Sequence, residues 1–186
     1  MGEGDGTADG AASTLPAELA HLSWLLGTWS GLGLGQYPTI DDFRFSQEVT
    51  FRTDGRPFIG YSSRSWILDD EGQRIRPAGT ETGFLRALPD NEVELLLSHP
   101  TGFAELWFGK VTVTDIQDAR IVGARMELQT DGIMRSPKAK EVNAGSRLYG
   151  LVNHELLWTY DMAAVGQPLT NHLSARLVPG HLSAGA

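Results

Sequence analysis

The sequence predicts an all-β fold, an antiparallel barrel or sandwich of about nine or ten strands. Three observations predict it. From Gly27 to Val178 the chain is a succession of short runs with period two, recurring roughly every ten residues. Turn formers stand between most of them, such as Thr53-Asp54-Gly55, Asp69 to Arg74 and Pro89-Asp90-Asn91. The strand–helix–strand alternation of a nucleotide-binding fold is missing. A length of 186 residues suits one domain with a sizeable core.

Taken in order, residues 1–14 are mostly Gly, Ala, Asp and Thr without hydrophobic pattern, and read as a disordered leader. The domain then runs over 15–178, and 179–186 reads as a flexible C-terminus. Pro16 to Leu22 suits one or two turns of helix, with Ser13 or Thr14 as a cap and Glu18 near the positive end of its dipole. The first strand lies in GTWSGLGLGQY, starting at Gly27. Further strands are expected over residues 45–51, 57–68, 81–88, 92–99, 102–114, 119–130, 140–152, 154–165 and 171–178, each an alternating run.

The totals exclude several classes. A net charge of −8 gives no electrostatic footprint for nucleic acid. With no cysteine there are no disulfides, thiolate metal sites or thiol catalysis. There is no apolar run long enough to span a membrane as a helix and no signal-peptide pattern, so no membrane association is expected and the cytoplasm is the default compartment.

The glycines of the first strand pose a choice. Gly31, Gly33 and Gly35 give G-x-G-x-G, not the G-x-G-x-x-G of a dinucleotide loop, and Tyr37-Pro38 discourages a following helix. As a strand, Trp29, Gly31, Gly33, Gly35 and Tyr37 share one face. Three glycines there would leave a trough for a backbone or a flat ligand, or let the strand bend at a barrel corner.

These residues carry a resemblance. G-x-W-x-G-x-G-x-G-x-Y-P-T-I from Gly27 to Ile40 resembles the signature of the nitrobindins, haem-binding ten-stranded barrels related in shape to fatty-acid-binding proteins. YSSRSW, ETGFLR, PTGFAELWFG, KAKE and PLTNHLSARL resemble further segments of that family, so the likeness covers about Leu25 to Leu177. It implies a calycin-like antiparallel barrel of ten strands that binds one haem b per chain. It also implies a ferric iron that binds nitric oxide and isomerises peroxynitrite to nitrate.

The resemblance places the axial metal ligand at His172. By strand alternation alone His172 shares the polar face with Ser174 and Arg176, opposite Leu173, Ala175 and Leu177, and would be exposed. Four other expectations come with the family: Met162 lining the pocket, Thr39 touching the porphyrin or an axial ligand, and Lys138 and Lys140 pairing with haem propionates. Each has a plainer reading, as core methionine, turn residue or surface lysine. His99, before a turn, could reach a distal pocket or lie in a surface loop. Some relatives carry a histidine just before the E-[ST]-G segment, where this chain reads Ala78-Gly79-Thr80-Glu81-Thr82-Gly83, which points to a nonpolar distal side. A haem-free carrier of an apolar small molecule would keep the fold and leave His172 incidental, and a plain interaction domain would leave the glycine face unexplained. A homodimer stays open.

Overall fold

The structure, a computed structural model, describes residues 15–180; the leader expected over 1–14, with its capping Ser13 or Thr14, and the chain end from 181 onward lie outside the described residues. Ten antiparallel strands close into a barrel in the order β1-β10-β9-β8-β7-β6-β5-β4-β3-β2. They are β1 Gly27–Tyr37, β2 Ile40–Arg52, β3 Phe58–Leu68, β4 Arg74–Ala87, β5 Glu92–His99, β6 Phe103–Gln117, β7 Arg120–Arg135, β8 Val142–Val152, β9 Glu155–Ala164 and β10 Thr170–Pro179. Closure leaves no free sheet edge.

The expected strands differ from the observed ones mainly at their ends. β4 starts at Arg74, within the stretch read as a turn, and carries Pro77 inside it. Two-residue turns join β6 to β7 and β8 to β9, where Asp118, Ala119, Asn153 and His154 all take φ between 47° and 63°. Paired left-handed residues match the twist of a tight hairpin. The last strand runs through Pro179, opposite Trp29, and the Gly180 N–H donates to the Thr28 carbonyl over 2.7 Å.

One end of the barrel is plugged. The short helix lies after Pro16, as a 3-10 helix over Ala17–Leu25. Leu19, Leu22 and Leu25 are fully buried in the core cluster, which stabilises the fold by about 2 kcal/mol for each such side chain. The Trp29 indole N–H donates to the Leu25 carbonyl over 2.8 Å and ties the plug to β1.

The glycine trough of β1 is occupied by a close backbone, one of the expected occupants, and by two side-chain rings rather than a flat ligand. A Cβ at Gly33 would run into the ring of Phe45, and one at Gly35 into the ring of Phe43. Both rings come from the paired strand β2, where Gly33 faces Phe45 and Gly35 faces Phe43. A Cβ at Gly31 would collide with the backbone of Arg176 on β10. The glycines thus admit two phenylalanine rings and a close strand, and those rings build a wall of the cavity below.

Candidate functional site

At the end away from the plug, β2, β3, β4, β9 and β10 enclose a cavity of about 690 Å³. Its walls include Phe43, Phe45, Ile67, Trp158 and Leu173 on the apolar side and Gln47, Ser63, Ser65 and Glu81 on the polar side. Lys140 and Arg76, both exposed, stand at its rim with Asp41 and Asp42. The volume lies within the ordinary range of cofactor and ligand sites.

His172 lines this cavity although simple alternation points it outward. The reason is a bulge in β10. Asn171 pairs with Asp161 and Leu173 with the next residue back, Tyr160, which leaves His172 as the extra residue. A bulge of this kind re-aims a side chain, and His172 and Leu173 both reach the cavity. Strand β1 is irregular at the same level. Its pairing with β2 shifts between Gly35 and Tyr37, and its ladder with β10 ends at the Gly35–Leu173 pair. The Gln36 carbonyl is thereby freed, and His172 Nδ1 lies 2.9 Å from it.

A carbonyl can only accept, so Nδ1 carries the proton and Nε2 keeps its lone pair. Among the described residues Nε2 has no hydrogen-bond partner. Burial lowers the pKa of the half-buried imidazole, and the weaker pull of the Gln36 carbonyl acts the other way, so the ring is neutral at neutral pH. Its orientation is packed as well. Tyr37 meets it edge-on at 5.3 Å between ring centroids, Phe43 at 6.4 Å and Tyr160 at 6.1 Å. The Tyr37 hydroxyl accepts the Ala164 N–H over 2.9 Å and lies 3.1 Å from the Met162 carbonyl, pinning β1 to β9 beneath the bulge. Fixed tautomer, free Nε2 and adjoining cavity are what an axial histidine needs. Among the described residues no group of three or more His, Asp or Glu side chains converges into a ligand set for a bare metal ion.

Beneath the cavity runs a polar band. Arg147, 2% exposed, makes a forked pair with Glu81 at 2.6 and 3.0 Å. The Tyr61 hydroxyl donates to the same carboxylate over 2.7 Å. Burial by itself would raise the Glu81 carboxyl; the charge and hydrogen bonds of Arg147 outweigh it and bring the pKa down to about 2. The Arg147 guanidinium also lies over the rings of Trp107 and Tyr160, 4.9 and 4.7 Å from their centroids. Glu105 extends the band, accepting the Trp107 indole N–H over 3.0 Å and facing His99 Nε2 at 3.0 Å.

Of the residues singled out in the sequence, the structure therefore brings His172 and Lys140 to the cavity. The wall does not include the other four. Thr39 is an exposed turn residue after Pro38, and Lys138 sits exposed in the loop before β8. Met162 is half-buried against the core and meets Tyr37 through its backbone carbonyl. His99 points inward, stacked on Phe103 at 4.1 Å and held by Glu105, so it joins the polar band rather than the cavity wall. Sequence reasoning passed over Gln47, Ser63, Glu81 and Arg147. One signal was available: Arg147 lies at inward parity in β8, between Gly145 and Tyr149, where a charge is out of place unless paired.

Comparisons with known proteins identify the family of the chain. Residues 18–178 match the THAP4-like, heme-binding β-barrel domain family. A protein of Nocardioides sp. (strain ATCC BAA-499 / JS614) named peroxynitrite isomerase is 51% identical over 164 residues, covering 88% of this chain and 94% of that protein. A ferric nitrobindin-like protein of Streptomyces griseus subsp. griseus is 37% identical, covering 89% of this chain and 83% of the relative. The crystal structure of Rv2717c from M. tuberculosis superposes with a TM-score of 0.81 at 39% identity, covering 90% of this chain and 99% of that one. The chain belongs to the THAP4-like, haem-binding β-barrel family, the nitrobindins.

Proposed function

We propose that this chain holds one haem b through His172 and isomerises peroxynitrite to nitrate at ferric iron. The observation that carries the reading is the bulge at His172, which turns a neutral imidazole with a free Nε2 into a cavity of about 690 Å³. The names of two relatives support the substrate: the Nocardioides protein, and a peroxynitrite isomerase of Salinispora tropica that is 49% identical over 158 residues. Bound haem would supply a Lewis acid and an exchangeable coordination position.

The protein's own residues do the rest. His172 would hold the iron through the Nε2 lone pair that its Nδ1 contact with Gln36 leaves available. Lys140 and Arg76 offer cations at the rim to the propionates. Phe43, Phe45 and Trp158 keep bulk water from the reacting atoms. Glu81 is held ionised by Arg147 and takes no part as an acid. The same open position would take nitric oxide. The polar wall of Gln47, Ser63 and Glu81 counts against a carrier of apolar molecules.

Among the described residues no helix is long and apolar enough to cross a membrane, and a cytoplasmic location is part of the proposal. So is a homodimer, supported by Leu32, Leu34, Leu148, Val152 and Leu157, which are exposed and line one outer groove of the barrel.

The test is a hemin titration of the purified chain beside His172→Ala. A saturable Soret band at one equivalent, absent from the variant, is expected. Equal binding by the variant would overturn the axial assignment. Stopped-flow decay of peroxynitrite then follows, with faster decay and nitrate as product expected only for the loaded protein.

A further inference from the structure

Trp158, Gln47 and Ser63 stand on β9, β2 and β3 and line the same cavity as His172. Their side chains form a hydrogen-bond chain that runs one way. An indole N–H can only donate, and that of Trp158 donates to Gln47 Oε1 over 2.8 Å. This fixes which end of the Gln47 amide faces which neighbour, an assignment that an amide by itself does not settle. The Nε2 end must then face Ser63, whose Oγ accepts from it at 2.9 Å.

A serine hydroxyl has one proton and two lone pairs. In Ser63 one lone pair is taken by Gln47, and among the described residues no acceptor takes the proton. Glu81, its partner across the β3–β4 ladder, is turned to Arg147 and Tyr61 and makes no hydrogen bond with Ser63. The neighbouring Ser65 is different. Its Oγ accepts the Gly79 N–H over 2.8 Å and donates back to the Gly79 carbonyl at 3.4 Å, so it is spent within the sheet. Ser63 is only 5% exposed, and its free proton has the cavity as its destination. Donation down the chain from Trp158 polarises that hydroxyl and makes it a better donor.

We propose that Ser63 donates a hydrogen bond to the charged atom of a small anion bound opposite His172, with Trp158 and Gln47 as the positioning residues that aim it. The ligand class is a monoanion whose outer atom accepts hydrogen bonds, an oxyanion above all. In the barrel, β3 is separated from β10 by β2 and β1, so the donor and His172 approach from different walls. A preset donor stabilises charge at its target without reorganising when the charge arrives. This role of Ser63 rests on the haem reading above.

The experiment uses the hemin-loaded ferric protein and fluoride, a strong acceptor whose charge-transfer band moves with hydrogen bonding. Ser63→Ala should raise the fluoride Kd roughly ten- to hundredfold, the worth of one hydrogen bond to a charged group, and shift the band. Ser63→Thr, which keeps the hydroxyl, should restore both. Carbon monoxide affinity of the reduced protein should not change, because bound carbon monoxide accepts poorly. Ser63→Gly, which also lacks the donor and brings no new ligand, repeats the test should the alanine variant load haem badly. A wild type without a Soret band overturns the haem reading and this inference with it. A normal Soret band with unchanged fluoride affinity and band position in Ser63→Ala overturns this inference alone.

Discussion

His172 depends on groups that are not themselves chemical. Its tautomer comes from the Gln36 carbonyl, and its ring orientation from Tyr37, Phe43 and Tyr160. Tyr37 does two things at once, since its hydroxyl also takes the backbone of Ala164. Tyr37→Phe leaves that buried N–H unpaired, a loss of about 1–3 kcal/mol. Urea unfolding of the haem-free variant should read that loss, and hemin transfer to an excess of competing apoprotein should quicken as the imidazole loosens. Unchanged hemin loss would show that ring packing alone aims the histidine. The two lysines provide a second contrast. Lys140 is on the cavity rim and Lys138 is not. Lys140→Ala should speed hemin loss a few-fold, in keeping with an exposed ion pair worth up to about 1 kcal/mol. Lys138→Ala should leave it as in the wild type, and equal effects would remove Lys140 from the site.

Strands were the legible part of this sequence, because alternation is local and each half-buried run declares itself. Val49, Gln47, Phe45 and Phe43 all face inward as their spacing requires. The bulge was not legible. It exists only through pairing, where Asn171 and Leu173 face consecutive residues of β9, and no spacing within β10 announces it. Strict alternation therefore puts His172 on the wrong face, and only the family resemblance placed it inside. The Glu81–Arg147 pair was hidden for a similar reason, since 66 residues separate partners that meet across the barrel. The β1 glycines stand between these cases: their shared face was readable, while the rings that fill it belong to β2. They also differ among themselves. At Gly31 the obstacle is the β10 backbone, which cannot swing away, whereas at Gly35 it is the Phe43 ring. Gly31→Ala should cost about 1–3 kcal/mol, in the range of an overpacked core. Gly35→Ala should instead displace Phe43 and weaken hemin binding with less loss of stability. Thermal melts of the haem-free variants and hemin titrations distinguish them, and a larger stability loss at Gly35 would reverse the assignment.

Across the whole molecule the barrel has three levels: an apolar plug under Leu19, Leu22 and Leu25, a polar band centred on Arg147, and the cavity beside His172. The band is where the two functions of the interior meet, since Glu81 is both a cavity wall and the counter-charge of a buried guanidinium. Such a pair adds little compared with an apolar core, yet breaking it is costly because one charge stays buried. Glu81→Gln should therefore destabilise the haem-free protein by about 3–5 kcal/mol at neutral pH. The pH dependence follows from the same pair. The folded pKa of Glu81, about 2, lies below its ordinary 4.5. The unfolded chain thus binds the proton first on acidification. The contribution of the pair is complete above the ordinary carboxyl value and is lost as pH falls through that window toward the folded value. Urea midpoints of the wild type should drop over this range, and those of Glu81→Gln should drop less, because the variant has no proton to take up there. Parallel profiles for the two proteins would mean that other carboxylates govern the acid limit and that Arg147 is neutralised by Glu105, which lies 4.0 Å from it.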